Sequence, residues 1–258
     1  MGRREGETTL DIFHIKDLTF QYPDTDEKAL DGLSVTISEG EFVVVGGPSG
    51  CGKSTLLRLL KKEIAPIGNI SGNILYFGKA MNEWDERTLI EEIGFVFQDP
   101  ENQIIMDEVL QEITFSLENL GYSNQEMRLR VAEMVHAFGM EDLLKSKPSE
   151  LSGGEKQIIN LLSVLLLQPK VLLLDEPTSQ LDPIAARDLI MMLGRLNREL
   201  GITIILVDHR LEELFAVADR VILMKDGKVN YEGNSKEVIY SVFHAKDEKF
   251  LPYIPSIS

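Results

Sequence analysis

The chain has 258 residues, of which 43% are hydrophobic and 26% charged, enough for one large α/β domain or a core with a subdomain. Its 42 acidic against 26 basic residues leave a formal net charge of -16, which excludes broad electrostatic binding to nucleic acid or to an anionic membrane surface. A single cysteine, Cys51, excludes an intramolecular disulfide and fits a reducing cytoplasm, and the stretch from Met1 to Glu7 predicts neither a signal peptide nor myristoylation.

From Asp11 to Tyr22, Ile12, Ile15, Leu18 and Phe20 stand among polar residues, and Leu33 to Ser38 alternates apolar with polar. Both segments predict half-buried strands of an antiparallel sheet, and Ile70 to Phe77, bounded by Gly68, Gly72 and Gly78, predicts another piece of it. Tyr22, just before Pro23, is either an aromatic covering the sheet edge or a ring that stacks on adenine. Phe42 to Val45 reads as a buried strand, while Leu56, Leu57, Leu59 and Leu60 recur at helical spacing. Between them lies Gly47-Pro48-Ser49-Gly50-Cys51-Gly52-Lys53-Ser54-Thr55, a phosphate-binding loop in the strand-to-helix context it requires. Its glycines let successive N–H groups point inward, and the helix N-terminus adds its positive dipole end. Lys53 is expected to reach β- and γ-phosphates and the Ser54 hydroxyl to ligate Mg²⁺, so the expected ligand is a nucleoside triphosphate.

Ile93 to Phe97 predicts a buried strand ending at Gln98, a polar amide placed to meet a ligand at a strand's carboxyl end. Asp107 to Gly121 and Asn124 to Gly139 follow a helical pattern, each closed by glycine, and predict a helical subdomain. In Leu151-Ser152-Gly153-Gly154-Glu155, Ser152 and Glu155 form a capping box. Gly153 and Gly154 are left unexplained by it: glycine in a first helical turn costs about 1 kcal/mol relative to alanine, so close approach of another group, an anion for example, is expected there. The most membrane-like stretch, Ile158 to Leu174, is broken by Gln168-Pro169-Lys170 and reads as a buried helix, a turn and a buried strand.

That strand ends in Asp175-Glu176, which suggests Asp175 on a Mg²⁺ shell and Glu176 facing the attacking water as base. Asp182 and Pro183 supply an N-cap and N1 proline for a helix to about Leu200, closed by Gly201. Ile202 to Val207 predicts a strand delivering Asp208 and His209; a lone histidine is usually structural, but this position beside other candidate site residues favours a functional one. Val221 to Met224 and Val229 to Tyr231 flank Asp226-Gly227, a predicted hairpin.

Taken in order, Tyr22, the phosphate loop, Gln98, Leu151 to Glu155, Asp175-Glu176, Ser179-Gln180-Leu181-Asp182 and His209 resemble an ATP-binding-cassette (ABC) ATPase over residues 10–240. The resemblance implies an α/β fold: a P-loop NTPase (RecA-like) core with an antiparallel β-subdomain and an α-helical subdomain inserted at about 99–167, followed by a short extension at 241–258. It implies ATP and Mg²⁺ as ligands, with Tyr22 stacking on adenine, Ser54, Gln98 and Asp175 around the metal, Glu176 polarising water and His209 touching the γ-phosphate. It further implies head-to-tail pairing with a second cassette, identical or a sister chain, whose phosphate loop would face Ser152, Gly153 and Gly154, with Asp182 in the crossing loop.

Phe20 to Pro23, Phe97 to Gln103, Leu117 to Gly121 and Asp208 to Glu213 are similar to the ATPase of energy-coupling-factor importers, which take up vitamins and ions such as cobalt and nickel. That likeness implies a transmembrane coupling subunit docking near Asn102 to Val109, a substrate-binding membrane component, and a place on the cytoplasmic face of the membrane. Departures from the common pattern are Glu155, Gln180 and Asp208, none of which removes a catalytic group. The alternatives are a soluble ABC-type clamp acting on ribosome, DNA or an assembly complex, and the ATPase of another transporter class.

Overall fold

The computed structural model describes residues 10–99, 103–209 and 211–255. Two long antiparallel strands, β1 (Asp11–Gln21) and β2 (Lys28–Ser38), open the chain, and β3 (Phe42–Gly46) then runs into α1 (Lys53–Leu59). β4 (Asn69–Tyr76) and the two-residue β5 (Lys79–Ala80) complete a four-stranded sheet of order β2-β1-β4-β5. After α2 (Glu86–Glu92) and β6 (Ile93–Val96) comes the helical segment of α3 (Val109–Asn119), α4 (Asn124–Phe138) and α5 (Gly153–Leu165). The chain continues through β7 (Val171–Asp175), α6 (Pro183–Leu200), β8 (Thr203–Val207), α7 (Leu211–Val217), β9 (Arg220–Lys225), β10 (Lys228–Gly233) and α8 (Ser235–Ala245).

The second sheet is six-stranded, of order β10-β9-β3-β8-β7-β6, parallel except for the edge strand β10. Its inner strands β3, β8 and β7 are buried at every position and read as near-continuous apolar runs, because both faces are covered. The period of two divides each strand between them: Val43, Val45, Val171, Leu173, Ile205 and Val207 pack toward α1 and the antiparallel sheet. Phe42, Val44, Leu172, Leu174, Ile204 and Leu206 pack toward α5, α6, α7 and α8. Burying one such leucine or valine stabilises by about 1.5–3 kcal/mol, so the sheet is the rigid frame of the molecule. A third cluster, with Val109, Ile113, Leu117, Val131, Ile159 and Leu162, holds the helical segment together.

Local signals stop and start the elements as expected. Gly121 (φ 76°) and Gly139 (φ 66°) take the left-handed conformation after α3 and α4, and the Tyr122 N–H returns to the Leu117 carbonyl at 3.0 Å. Asp226 (φ 52°) and Gly227 (φ 73°) make the two-residue turn between β9 and β10. Three helices exceed the sequence-based expectation: α2, α7 and α8. α8 has a legible start, since Asn234 and Glu237 form a capping box of the same kind as Ser123 with Glu126 and Ser152 with Glu155. It spans the boundary at residue 240, and beyond it Phe250 and Ile254 are buried in the core. α2 and α7 are seven residues each and, unlike α1 of the same length, have no phosphate-loop motif in front of them to mark a helix start. β2 also begins five residues before the expected Leu33, the early part passing through Gly32 at φ 67°.

Candidate functional site

β3 delivers the phosphate loop. At Gly47 (φ 135°) an added Cβ would lie 2.1 Å from the Met224 carbonyl oxygen, and at Gly52 (φ 104°) 2.2 Å from the Ala29 oxygen. Only glycine fits at either, which holds the loop tightly curled onto β2 and β9. Gly52 is the N-cap of α1, and no side chain caps that turn, as suits a helix start that receives an anion. The Lys53 ammonium is drawn over the loop, donating to the carbonyls of Gly47 at 2.8 Å and Pro48 at 2.9 Å. Cys51 points inward and is buried; that burial raises its thiol pKa.

A cleft of about 340 Å³ opens on this loop, lined by Ser49, Gly50, Gly52, Lys53, Ser54 and Thr55 together with Tyr22, Thr25, Glu27, Lys28, Ala29 and Glu176. The Tyr22 ring meets Phe20 edge-on at 5.0 Å, and its hydroxyl is 3.1 Å from Thr55 Oγ1. Tyr22 is therefore pinned at the cleft, where an aromatic face would meet a base. Thr25 to Ala29 were not anticipated, because only the return of β2 beside α1 brings them to the loop.

The ends of β7 and β8 carry the acidic side of the site. The Ser54 hydroxyl donates to Asp175 Oδ1 at 2.7 Å, and Arg58 Nη2 lies 3.8 Å from Oδ2. Burial pushes the Asp175 carboxyl above its ordinary range, while the Ser54 hydrogen bond and the Arg58 and Lys53 charges pull it back and Glu176 adds to the rise. A buried carboxylate beside a hydroxyl suits a hard, oxygen-seeking cation such as Mg²⁺, which uses few protein ligands and takes the rest from water and phosphate. Among the described residues no group of three or more His, Cys, Asp or Glu is placed to hold a metal ion.

Glu176 adopts φ 50°, a left-handed conformation costing a non-glycine residue about 1–3 kcal/mol. Its N–H is held by the Val207 carbonyl at 2.8 Å, and its own carbonyl accepts the Ser179 N–H at 3.2 Å. The carboxylate stands between two partners: Gln98 Nε2 donates to Oε2 at 3.1 Å and His209 Nε2 lies 3.0 Å from Oε1. Gln98, the adjacent pair Asp175 and Glu176, and His209, from three separate stretches of sequence, thus converge at the carboxyl ends of β6, β7 and β8.

Ser152, Gly153, Gly154 and Asp182 do not line this cleft. Ser152 N–H and Oγ donate to Glu155 Oε2 at 2.8 and 2.7 Å, holding the Glu155 carboxyl below its usual range, and Asp182 Oδ1 caps α6 on the Ile184 and Ala185 N–H groups. A Cβ at Gly153 would be no nearer than 3.8 Å to Gln180 O, and one at Gly154 would be 3.3 Å from Ala185 Cβ. Packing within the chain therefore leaves room for a side chain at 153. Of the stretch Asn102 to Val109, Ile105 is 71% exposed; Pro100, Glu101, Asn102 and Arg210 lie outside the described residues.

Residues 30–179 match the profile of the ABC transporter family. A Bacillus anthracis protein carrying the name of an ABC transporter ATP-binding protein is 48% identical over 94% of this chain, which spans 44% of that relative's length. Among solved structures, cbiO1 from Clostridium perfringens, part of the ABC transporter complex cbiONQ, is 35% identical with a TM-score of 0.79, covering 90% of this chain and 94% of that one. The ATP-binding cassette MJ0796, a post-hydrolysis dimer bound to ADP and Pi, is 31% identical with a TM-score of 0.73, covering 86% of this chain and 98% of its own. With this site and these matches, the chain belongs to the ABC transporter family and has the fold of its ATP-binding cassettes.

Proposed function

We propose that the chain binds and hydrolyses ATP as the motor subunit of a membrane importer of the energy-coupling-factor type. The observation that carries hydrolysis is the Glu176 carboxylate, held between Gln98 and His209 at the mouth of the phosphate cleft. In that position it takes the proton from a water attacking the γ-phosphorus, while His209 turns its Nε2 toward the γ-phosphate. Lys53 and the loop N–H groups hold the phosphate oxygens, and Tyr22 stacks on adenine. Mg²⁺, held by Ser54 and Asp175 with Gln98 nearby, would neutralise charge on the β- and γ-oxygens.

A second cassette, a sister chain or another copy, completes the site. Ser152, Gly153 and Gly154 do not line this chain's own cleft, and the room left at Gly153 fits a γ-phosphate arriving from a partner. Dimer pairing in MJ0796 and the membership of cbiO1 in a transporter complex support this reading. No helix among the described residues is long and apolar enough to cross a membrane. In this reading a transmembrane coupling subunit, with its substrate-binding component, docks near the exposed Ile105 and holds the chain at the cytoplasmic face.

The test is to measure phosphate release by the purified chain, then to tag it in its native cell, extract in mild detergent and identify its companions by mass spectrometry. ATP hydrolysis together with a compact transmembrane subunit is expected. Recovery with ribosomes, DNA or soluble proteins alone would overturn the importer reading, and absence of hydrolysis would overturn the motor.

A further inference from the structure

Asp208 follows the last residue of β8, immediately before His209, and is 2% exposed. Its Oδ2 accepts the Thr178 N–H at 3.2 Å and the Thr178 hydroxyl at 2.6 Å; its Oδ1 accepts the His209 N–H at 2.7 Å. Thr178 is fully buried and lies two residues past Glu176, inside the turn that the Ser179 N–H closes onto the Glu176 carbonyl. One carboxylate therefore ties the turn that carries Glu176 to the backbone that carries His209. Burying a charge is costly unless its lone pairs are filled, and three donors converge on this one. Glu176 needs such a tie: its φ of 50° is strained, and the backbone bond to Val207 secures only the near side of the turn.

We propose that Asp208 is a positioning residue of the hydrolytic site. It sets the 3.0 Å approach of His209 Nε2 to Glu176 Oε1, and through it the aim of the Glu176 carboxylate at the attacking water. The inference rests on reading the chain as an ATPase. Asparagine at 208 keeps the shape but offers only one oxygen, so its amide N–H meets a donor, either His209 N–H or Thr178. Valine at 178 removes the hydroxyl donor and leaves the size nearly unchanged.

The experiment compares Asp208→Asn, Thr178→Val and Thr178→Ser in the full chain. It measures kcat, ATP affinity by equilibrium binding, and the His209–Glu176 separation by crystallography. Displacing a catalytic group by about 1 Å costs up to about 10²-fold in rate, so a fall in kcat toward that size is expected for Asp208→Asn and Thr178→Val. ATP affinity should stay put, the 3.0 Å contact should open, and Thr178→Ser should recover most of the rate. Wild-type kcat in both disruptive variants, an unchanged contact, or a serine variant no better than valine would overturn the proposal. If Asp208→Asn fails to fold, Thr178→Val carries the test. If the wild-type chain does not hydrolyse ATP, the motor reading fails, and the crystallographic separation still decides the role of Asp208.

Discussion

Replacing Glu176 with glutamine changes the chemistry of the site while leaving its geometry almost intact. The carboxylate accepts from Gln98 Nε2 at 3.1 Å on one oxygen and faces His209 Nε2 at 3.0 Å on the other. Glutamine keeps an oxygen for Gln98 and turns its amide N–H toward the imidazole, whose neutral form has an acceptor nitrogen to receive it. Both contacts survive, and only the capacity to take up a proton is lost. A general base contributes about 10²–10⁴-fold, equivalent to about 2.7–5.4 kcal/mol of barrier. Phosphate release at saturating Mg·ATP should fall by that factor in Glu176→Gln. Binding of a fluorescent ATP analogue should be unchanged, and ATP should now trap a stable dimer visible by light scattering. A wild-type kcat would refute the assignment of the base. A parallel loss of ATP affinity would refute the geometric argument, because it would mean that the carboxylate holds the loop together instead of acting on water.

Gly52→Ala should abolish ATP binding without unfolding the sheet, since its Cβ would meet the Ala29 carbonyl oxygen at 2.2 Å at a φ of 104°; retained nucleotide affinity by calorimetry would contradict this. Asp175→Asn should abolish Mg²⁺-dependent turnover and raise the melting temperature of the nucleotide-free chain at pH 7. Burial raises the Asp175 carboxyl in the folded state, so the folded chain holds that proton more readily than the unfolded one; the resulting stabilisation is full below the unfolded value and is lost as pH rises through the folded one. Asparagine removes the pH-dependent cost, at about 2–4 °C for each kcal/mol relieved, and a lower melting temperature would contradict the reasoning. Tyr22→Ala should weaken ATP binding by the 1–3 kcal/mol typical of a base–aromatic stack, roughly 5- to 150-fold, whereas Tyr22→Phe keeps the ring and loses only the Thr55 contact. Equal affinities for the two variants in a binding titration would place the base elsewhere.

The elements that were legible in the sequence share a strong local cause. Phe42 to Val45, Val171 to Leu174 and Ile202 to Val207 could be read as buried strands because a sheet covered on both faces makes its strands near-continuous apolar runs. The caps at Ser152, Asp182 and Gly201 were legible because each satisfies its own backbone within a few residues, and the phosphate loop because its residue spacing stands between a strand and a helix. α2 and α7 were not: a seven-residue helix owes its existence to what it packs against, and neither has the preceding motif that announces α1.

The sequence by itself determined the residue types of the site, the loop that holds phosphate and the order in which the strands arrive. The tertiary structure alone decided which of those residues meet. The contact between Ser54 and Asp175 joins positions 121 apart, that between Gln98 and Glu176 positions 78 apart, and the grip of Asp208 on Thr178 positions 30 apart. These distances follow from the sheet order, which places β7 between β6 and β8 and brings their carboxyl ends to one edge beside β3. Strand order is set by which apolar faces pack best across the whole core, a sum over many weak contacts that no local stretch of sequence encodes.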